Sequence, residues 1–414
     1  MLAGTELFWK FSISGLSTVW LIVVFLSIVW FLAVLEKRDR TMAGGLGASL
    51  GAALAVGVLV GVGGLTRYAF AWLIVPVILF VLASVTRGKA GLCAAIALSF
   101  IAVMAPWLAR NAALSGHCFG TAGYAVYQGT TQFPGDTLER STDPRNGLKR
   151  MTVPDVVNKF VANIRDICVN DLPELGGNWI SAFFLAGLLM PFRNAGLNRL
   201  RWFLLGSLVW LALVEALTRT HVSRAAPQVN SENLLVVLAP LVFVYGVALF
   251  YTLLDQLELP PVGVAGPVVT VFVVVLSAPF LLALLVPPNV PELAPHSPLH
   301  IRQTASYMQT NELMASDIPS GVAWYGERSA LWLPLDDGNE FFKVSALKPI
   351  KGLFLTEVTT DKRFLSQMKS DPHGWGGFVF ECGEHGEVPS GFPLRKAPVG
   401  FLPDELFLSD KARW

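Results

Sequence analysis

Residues 14–40 read SGLSTVWLIVVFLSIVWFLAVLEKRDR. Positions 14–35 hold no ionisable side chain. At about 1.5 Å of rise per residue, a helix of that length crosses the ~30 Å hydrocarbon core of a bilayer. The run ends abruptly in Glu36-Lys37-Arg38-Asp39-Arg40. A cleaved leader has a shorter apolar stretch followed by a small-residue site; here Glu6 precedes the run and a basic cluster follows it, so the segment reads as a retained span. Further apolar segments stand near 44–65, 68–86, 90–109, 178–192, 202–218, 233–253 and 264–286. The expected architecture is an α-helical polytopic membrane protein with about eight transmembrane helices over residues 1–290. The composition agrees: 53% of the 414 residues are hydrophobic and only 15% charged, with a mean hydropathy of +0.54. A soluble domain carries about a quarter charged residues.

The second span, GGLGASLGAALAVGVLVGVGG at 44–64, is built mainly from Gly, Ala and Val. Small residues let helix backbones approach closely, so this span is expected inside the bundle. The spans at 178–192 and 202–218 are short, and tilt or mismatch is expected there. Basic residues cluster in the connections 36–40, 87–89 and 193–201. By the positive-inside rule these lie in the cytoplasm, which leaves both termini and the 110–177 loop outside. The 254–263 connection has no Lys or Arg and marks its side only weakly.

Within the 110–177 loop, Val153, Val156, Val157, Phe160, Val161, Ile164 and Ile167 recur at helical spacing, with Lys159, Arg165 and Asp166 on the other face. That is an amphipathic helix over 152–168, suited either to the membrane surface or to packing on the protein's own loop. From residue 298 to 414 the pattern changes to that of a small extracytoplasmic α/β domain, reached through a proline-rich exit after the last span. Ile301–Met314 reads as helix; Gly321–Tyr325, Ile350–Thr356 and Gly377–Phe380 read as strands, with a helix over Asp361–Lys369. Short apolar strands alternating with helices predict parallel pairing in a sheet covered on both faces.

The net charge of +1 gives no field that would draw nucleic acid. The four cysteines, Cys93, Cys118, Cys168 and Cys382, include no CxxC pair, so neither a zinc site nor a dithiol motif is indicated, and no metal or cofactor is evident. Cys118 and Cys168 share one loop and either pair in an oxidising compartment or stay free. Ionisable residues are nearly absent from mid-span positions, which weighs against a transporter. The charges that stand out lie at the outer ends of spans: Arg67, Arg110, Arg219, His221, Arg224 and Glu232. Either each snorkels to the interface, or the arginines Arg67, Arg110 and Arg224 converge on a phosphorylated partner through their planar donor forks.

Three segments occur in order: Gly63-Gly64-Leu65-Thr66-Arg67-Tyr68, then Met104-Ala105-Pro106-Trp107-Leu108-Ala109-Arg110-Asn111, then Ser115-Gly116-His117-Cys118-Phe119-Gly120. Together with Glu232 through Leu241, they resemble the bacterial membrane glycosyltransferases of the GT-C class, relatives of protein O-mannosyltransferases and lipid A aminoarabinose transferases. The resemblance covers roughly residues 5–255, and Ala323 through Pro334 is similar to an extracytoplasmic domain that some members carry. It implies a multi-pass protein of the inner (plasma) membrane. It also implies transfer of a sugar from a polyprenyl-phosphate donor to an extracytoplasmic acceptor, with Arg67, Arg110 and Arg224 holding the donor phosphate. The family places its catalytic acid in a first external loop, and residues 1–14 offer no equivalent. The chain is therefore expected to be the C-terminal portion of such an enzyme, with Glu6, Asp136 and Glu232 the acidic residues that remain as candidates. The alternative is a non-catalytic membrane protein that binds a lipid-linked glycan in envelope assembly.

Overall fold

The structure is a computed structural model. It describes residues 5–41, 46–133, 135, 137–141, 148, 151–177, 179–190, 195–225, 229–256, 265–285, 297–360, 374–385, 388–397 and 405–414. The chain divides into two compact units, one of Met1–Gly135 with Met151–Pro287, the other of Asp136–Arg150 with Pro288–Trp414.

The first unit is helical. In chain order it runs Glu6–Ile13 (α1), Thr18–Thr41 (α2), Leu46–Thr66 (α3), Tyr68–Ala71 (α4), Ile74–Ser84 (α5) and Lys89–Ser115 (α6). Val153–Asp166 (α7), Trp179–Gly187 (α8), Ala195–Thr218 (α9), His221–Ala225 (α10), Ala239–Gln256 (α11) and Ala265–Leu285 (α12) follow. Among the described residues five helices are long and apolar enough to cross a membrane: α2, α3, α6, α9, and α11 together with the 3-10 turn Leu235–Leu238 that leads into it. The chain is an α-helical, multi-pass membrane protein.

The expected span at 68–86 is broken into α4 and α5 at Trp72-Leu73. Pro76 lies in the first turn of α5, where its missing N–H disrupts nothing. The expected span at 178–192 holds the nine-residue α8, which by helical rise is about 14 Å long, half the hydrocarbon thickness. By contrast α6 runs past Pro106 to Ser115, so Arg110 and Asn111 lie on a helix and not in a loop.

The glycine-rich α3 packs against α6 at very short range. A Cβ on Gly57 would lie 2.0 Å from Ser99 Oγ and 2.2 Å from the Ile96 carbonyl oxygen, and one on Gly61 would lie 2.8 Å from Val103 Cβ. Only residues without a side chain permit this crossing. The burial of α3 is one-sided, however. Ala52, Ala53, Val56 and Val60 are buried, while Leu50, Leu54, Val58 and Leu65 are exposed along the opposite stripe. The span thus contacts the bundle on one face and leaves the other for lipid. Phe203 of α9 joins the bundle interior by stacking on Phe25 at 6.2 Å and meeting Phe80 edge-on at 5.5 Å.

The helix expected at 152–168 is α7. It opens with Thr152 and Asp155 satisfying each other's backbone in a capping box. Its apolar residues divide between the two environments that the sequence leaves open. Phe160 and Ile164 pack on the bundle core, whereas Val153, Val157 and Val161 form an exposed stripe. Lys159 is not on the solvated face: it is buried, and its Nζ donates to the carbonyls of Ala125 at 2.5 Å and Val126 at 3.2 Å.

The second unit contains Pro298–Ser306 (α13), Leu313–Ser316 (β1), Pro319–Gly326 (α14), Ser329–Trp332 (β2), Asn339–Leu347 (α15), Ile350–Leu355 (β3), Trp375–His385 (α16) and Leu406–Ser409 (β4). The sheet order is β2-β1-β3-β4. β1 pairs parallel with both β2 and β3, as expected, and β3 pairs antiparallel with β4. Strand residues alternate between two apolar clusters. Leu353, Leu355 and Leu408 join Phe341, Trp375 and Phe378 on one face; Phe354 and Phe407 join Ile301, Met308 and Val322 on the other. That is the two-sided burial its apolar strands demand.

Three local expectations are corrected. Gly321–Tyr325 is not a strand but lies in α14, started by Pro319 and closed by Glu327 at a left-handed φ of 53°. Its Val322 is buried while Trp324 is 80% exposed. Gly377–Phe380 lies in α16, whose Trp375, Phe378, Val379 and Cys382 recur at helical and not alternating spacing. The helix expected over Ile301–Met314 ends at Ser306, and Leu313-Met314 begin β1. The helix expected over Asp361–Lys369 lies outside the described residues. Arg140, from the 136–150 segment, belongs to this unit and donates from Nε to the Leu333 carbonyl at 2.6 Å and from Nη2 to the Pro334 carbonyl at 3.0 Å.

Candidate functional site

Arg67 occupies the one-residue joint between α3 and α4, in extended backbone. The joint is tight because Gly63 leaves room for the Phe70 ring; a Cβ there would stand 2.2 Å from two of its carbons. This reversal turns the guanidinium toward the start of α2. Nε donates to Ser17 Oγ at 3.1 Å and Nη2 to Thr18 Oγ1 at 2.9 Å. Nη1 is enclosed and has no partner among the described residues.

Arg67 lines a cavity of about 710 Å³, whose wall is otherwise largely apolar. Tyr68 and Trp72 of the α4 region, Met104 and Leu108 of α6, Phe119 and Val126 of the following loop, and Ser231, Glu232 and Leu234 enclose it. The Pro106–Asn111 segment shapes this wall through Tyr68. Trp107 Nε1 and Asn111 Nδ2 donate to the Tyr68 hydroxyl oxygen at 2.5 and 2.8 Å. With both contacts accepted, the Tyr68 hydroxyl keeps its own proton to donate. Arg110 is not on the cavity wall; its guanidinium rests 4.8 Å from the centre of the Trp107 ring, a cation–π contact at the exposed side of α6.

Glu232 does line the cavity, yet both of its oxygens are engaged. They accept from the backbone N–H and hydroxyl of Thr220, at 2.6 to 3.1 Å, and from those of Ser223 at 3.2 and 2.6 Å. The carboxylate anchors the turn that starts α10. Glu6 stands apart, paired with Lys10 at 2.6 Å on the half-exposed first turn of α1. Arg224 lies in α10, but its side chain, like Asp136, is outside the described residues. Of the candidates named from sequence, the structure brings Arg67 and Glu232 to one cavity and connects Arg110 to it through Trp107 and Tyr68.

Beside the cavity stands an ionic cluster that joins Asp166 of α7 to two further carboxylates, Asp171 and Glu215. Arg219, 3% exposed, donates from Nη2 to Glu215 Oε2 at 2.9 Å and to Asp171, and from Nη1 to Asp166 at 3.2 Å. Glu215 Oε1 also accepts the backbone N–H groups of Leu234 at 2.6 Å and Leu235 at 2.9 Å. A buried acid four residues before an arginine at the end of an apolar span was the available signal. Burial pushes the Asp171 carboxyl above its ordinary value, against the opposing pull of Arg219. The cluster ties α9 to the 167–171 turn and to the turn before α11.

The chamber is therefore apolar, bordered by the Arg67 side chain and by a tyrosine hydroxyl, and the carboxylate on its wall, Glu232, is saturated with hydrogen bonds. Such a site suits an amphipathic anion. Among the described residues no group of three His, Cys, Asp or Glu side chains is placed to hold a metal ion. No protein family, curated protein or solved structure matches the chain.

Proposed function

We propose that the protein binds a polyprenyl-phosphate-linked sugar in the cavity beside Arg67 and acts in its transfer to an extracytoplasmic acceptor, as a membrane glycosyltransferase or part of one. The observation that carries this reading is Arg67 on the wall of an apolar chamber in a membrane bundle, with its Nη1 unpartnered among the described residues. An isoprenoid chain matches the apolar wall, and a phosphate matches a guanidinium. The reading includes eight crossings in the inner (plasma) membrane, with both termini and the second unit outside.

A second reading, a non-catalytic protein that binds a lipid-linked glycan, is favoured by the engagement of Glu232 and Glu215. Both hold backbone N–H groups and neither is free to take a proton from an acceptor.

The test compares binding of polyprenyl phosphate and of the uncharged polyprenol to the purified full chain in detergent. Arg67→Gln should weaken the phosphate about tenfold or more, since hydrogen bonds between charged groups contribute roughly 1.5–3 kcal/mol and 1.4 kcal/mol is a factor of ten. Polyprenol binding should not change, and Arg38→Gln should affect neither. Equal binding of the two lipids, or no effect at Arg67, refutes the phosphate site. Sugar transfer to an acceptor by the same preparation separates the first reading from the second.

A further inference from the structure

A second cavity, of about 670 Å³, lies in the same unit at the end marked by the basic connections. Its polar end is formed by Asp39 and Arg40 at the close of α2, Thr86, and Arg199 near the start of α9. Its body runs between α5 and α9 past Leu79, Trp202 and Trp210. Leu79 and Trp202 are 59% and 61% exposed, so the body opens sideways, where acyl chains lie in a bilayer. Its volume falls within the roughly 300–1,000 Å³ of small-ligand sites.

At the polar end three arginines, Arg40, Arg199 and Arg87, face two carboxylates, Glu36 and Asp39. Glu36 is buried and faces two of the guanidinium groups, with Oε1 3.5 Å from Arg40 Nε and 3.3 Å from Arg199 Nη1. One carboxylate thus serves two cations. Asp39, whose oxygens accept the Thr86 and Arg87 backbone N–H groups and the Thr86 hydroxyl at 3.0 to 3.1 Å, keeps its negative charge beside Arg87. Arg199 uses Nη1 also on the Ser84 carbonyl at 3.2 Å. The side chains of Arg40 and Arg199 remain 44% and 43% exposed, with the other nitrogens of both forks available.

We propose that this groove holds an anionic glycerophospholipid, its phosphate between Arg40 and Arg199 and one acyl chain along α5 and α9. One phosphodiester supplies the negative charge that three arginines against two carboxylates leave over, and the adjoining apolar body selects a lipid over a free anion. Basic pockets between membrane helices recognise anionic head groups in this way.

Gly206 provides the test. It lines the groove, and a Cβ there meets nothing within 4 Å. Gly206→Leu therefore fills the groove without a clash at Cβ, and it favours the helix. The purified full chain, in mild detergent, is titrated with phosphatidylglycerol, phosphatidylcholine and inorganic phosphate, and bound lipid is counted by native mass spectrometry. Phosphatidylglycerol should bind at least tenfold more tightly than phosphatidylcholine, and inorganic phosphate should not compete. The Arg40→Gln/Arg199→Gln pair should remove that preference. Gly206→Leu should weaken phosphatidylglycerol about tenfold while leaving polyprenyl phosphate binding at the Arg67 cavity unchanged. Equal binding of the two phospholipids, or unchanged phosphatidylglycerol binding in Gly206→Leu, overturns the proposal. If the double variant fails to fold, Gly206→Leu decides alone.

Discussion

Replacing Gly57 by Ala tests the packing on which the first unit rests. The added Cβ would lie 2.0 Å from Ser99 Oγ and 2.2 Å from the Ile96 carbonyl oxygen, where ordinary contact needs about 3.5–4.0 Å. Ser99 could rotate away, although its hydroxyl is bonded to the Ala95 and Ile96 carbonyls; the Ile96 backbone cannot. Helices α3 and α6 must therefore separate by about 1.5 Å at this point to restore contact. Such overpacking costs roughly 1–3 kcal/mol or more. Gly51 is the control, since it lies in the same helix and its Cβ meets nothing within 4 Å. Both changes gain the same 0.5–1 kcal/mol or so from replacing a helical glycine, so their difference isolates the clash at about 1–3 kcal/mol. Thermal unfolding in detergent should give Gly57→Ala a midpoint well below the parent and Gly51→Ala one at or above it. Gly61→Ala, whose clash is with a Val103 side chain at 2.8 Å and not with backbone, should fall between. Equal midpoints for Gly51→Ala and Gly57→Ala would refute the α3–α6 crossing.

Arg219→Met strands Glu215 and Asp171, both buried, and should cost about 3–5 kcal/mol in the same melt; Asp171→Asn added to it should recover part, and an unaltered midpoint would show that the cluster contributes nothing. In the second unit, hydrogen bonds from Arg413 to Glu312 at 2.5 and 2.9 Å hold that carboxyl below its ordinary 4.5. A depressed carboxylate stabilises the fold above its unfolded value and loses that contribution as pH falls through the folded one. The stability gap between parent and Arg413→Gln should thus be full near pH 6 and shrink steadily below pH 4.5, as read by melts across that range; a gap independent of pH would contradict the pair. Cys118 and Cys168 are exposed free thiols, whereas burial pushes Cys382 up to about 11; alkylation near pH 7 should be fast at the first two and slow at Cys382, and equal rates would be inconsistent with its site.

The membrane character and the helical positions were legible because twenty-residue apolar runs are long, continuous signals. The close approach at Gly57 and Gly61 was equally legible as composition, although which face of α3 would be lipid-exposed depended on α6. The second unit was harder to read. Gly321–Tyr325 and Gly377–Phe380 are apolar runs of four or five residues, short enough to suit strand or helix. Only the pairing partners Leu313–Ser316, Ser329–Trp332 and Leu406–Ser409 fix which segments enter the sheet. At the candidate site, Arg67 and Glu232 could be named from sequence, but their different states could not. One depends on Ser17 and Thr18, some fifty positions earlier, and the other on a turn that begins twelve positions before it. Tyr68 acquires its place from Trp107 and Asn111, whose motif drew notice for the arginine it contains.

The walls of the two cavities meet at a pair of tryptophans. The α4–α5 break at Trp72-Leu73 carries Trp72 to the wall of the Arg67 chamber, while Trp210 of α9 lines the groove at Arg40 and Arg199. The two rings lie 6.3 Å apart, tilted by 57°. The carboxylates also share one logic at both ends. Glu36 answers arginines, Asp39 and Glu232 answer backbone N–H groups, and Glu215 answers both. Their charge is absorbed by the scaffold, which is how ionisable groups persist at membrane depth. The cations are not all absorbed among the described residues, since Arg67 Nη1 has no partner there and Arg40 and Arg199 share one acid. Both proposals rest on that asymmetry: the acids are engaged within the bundle, and arginines stand beside apolar cavities at two separate places.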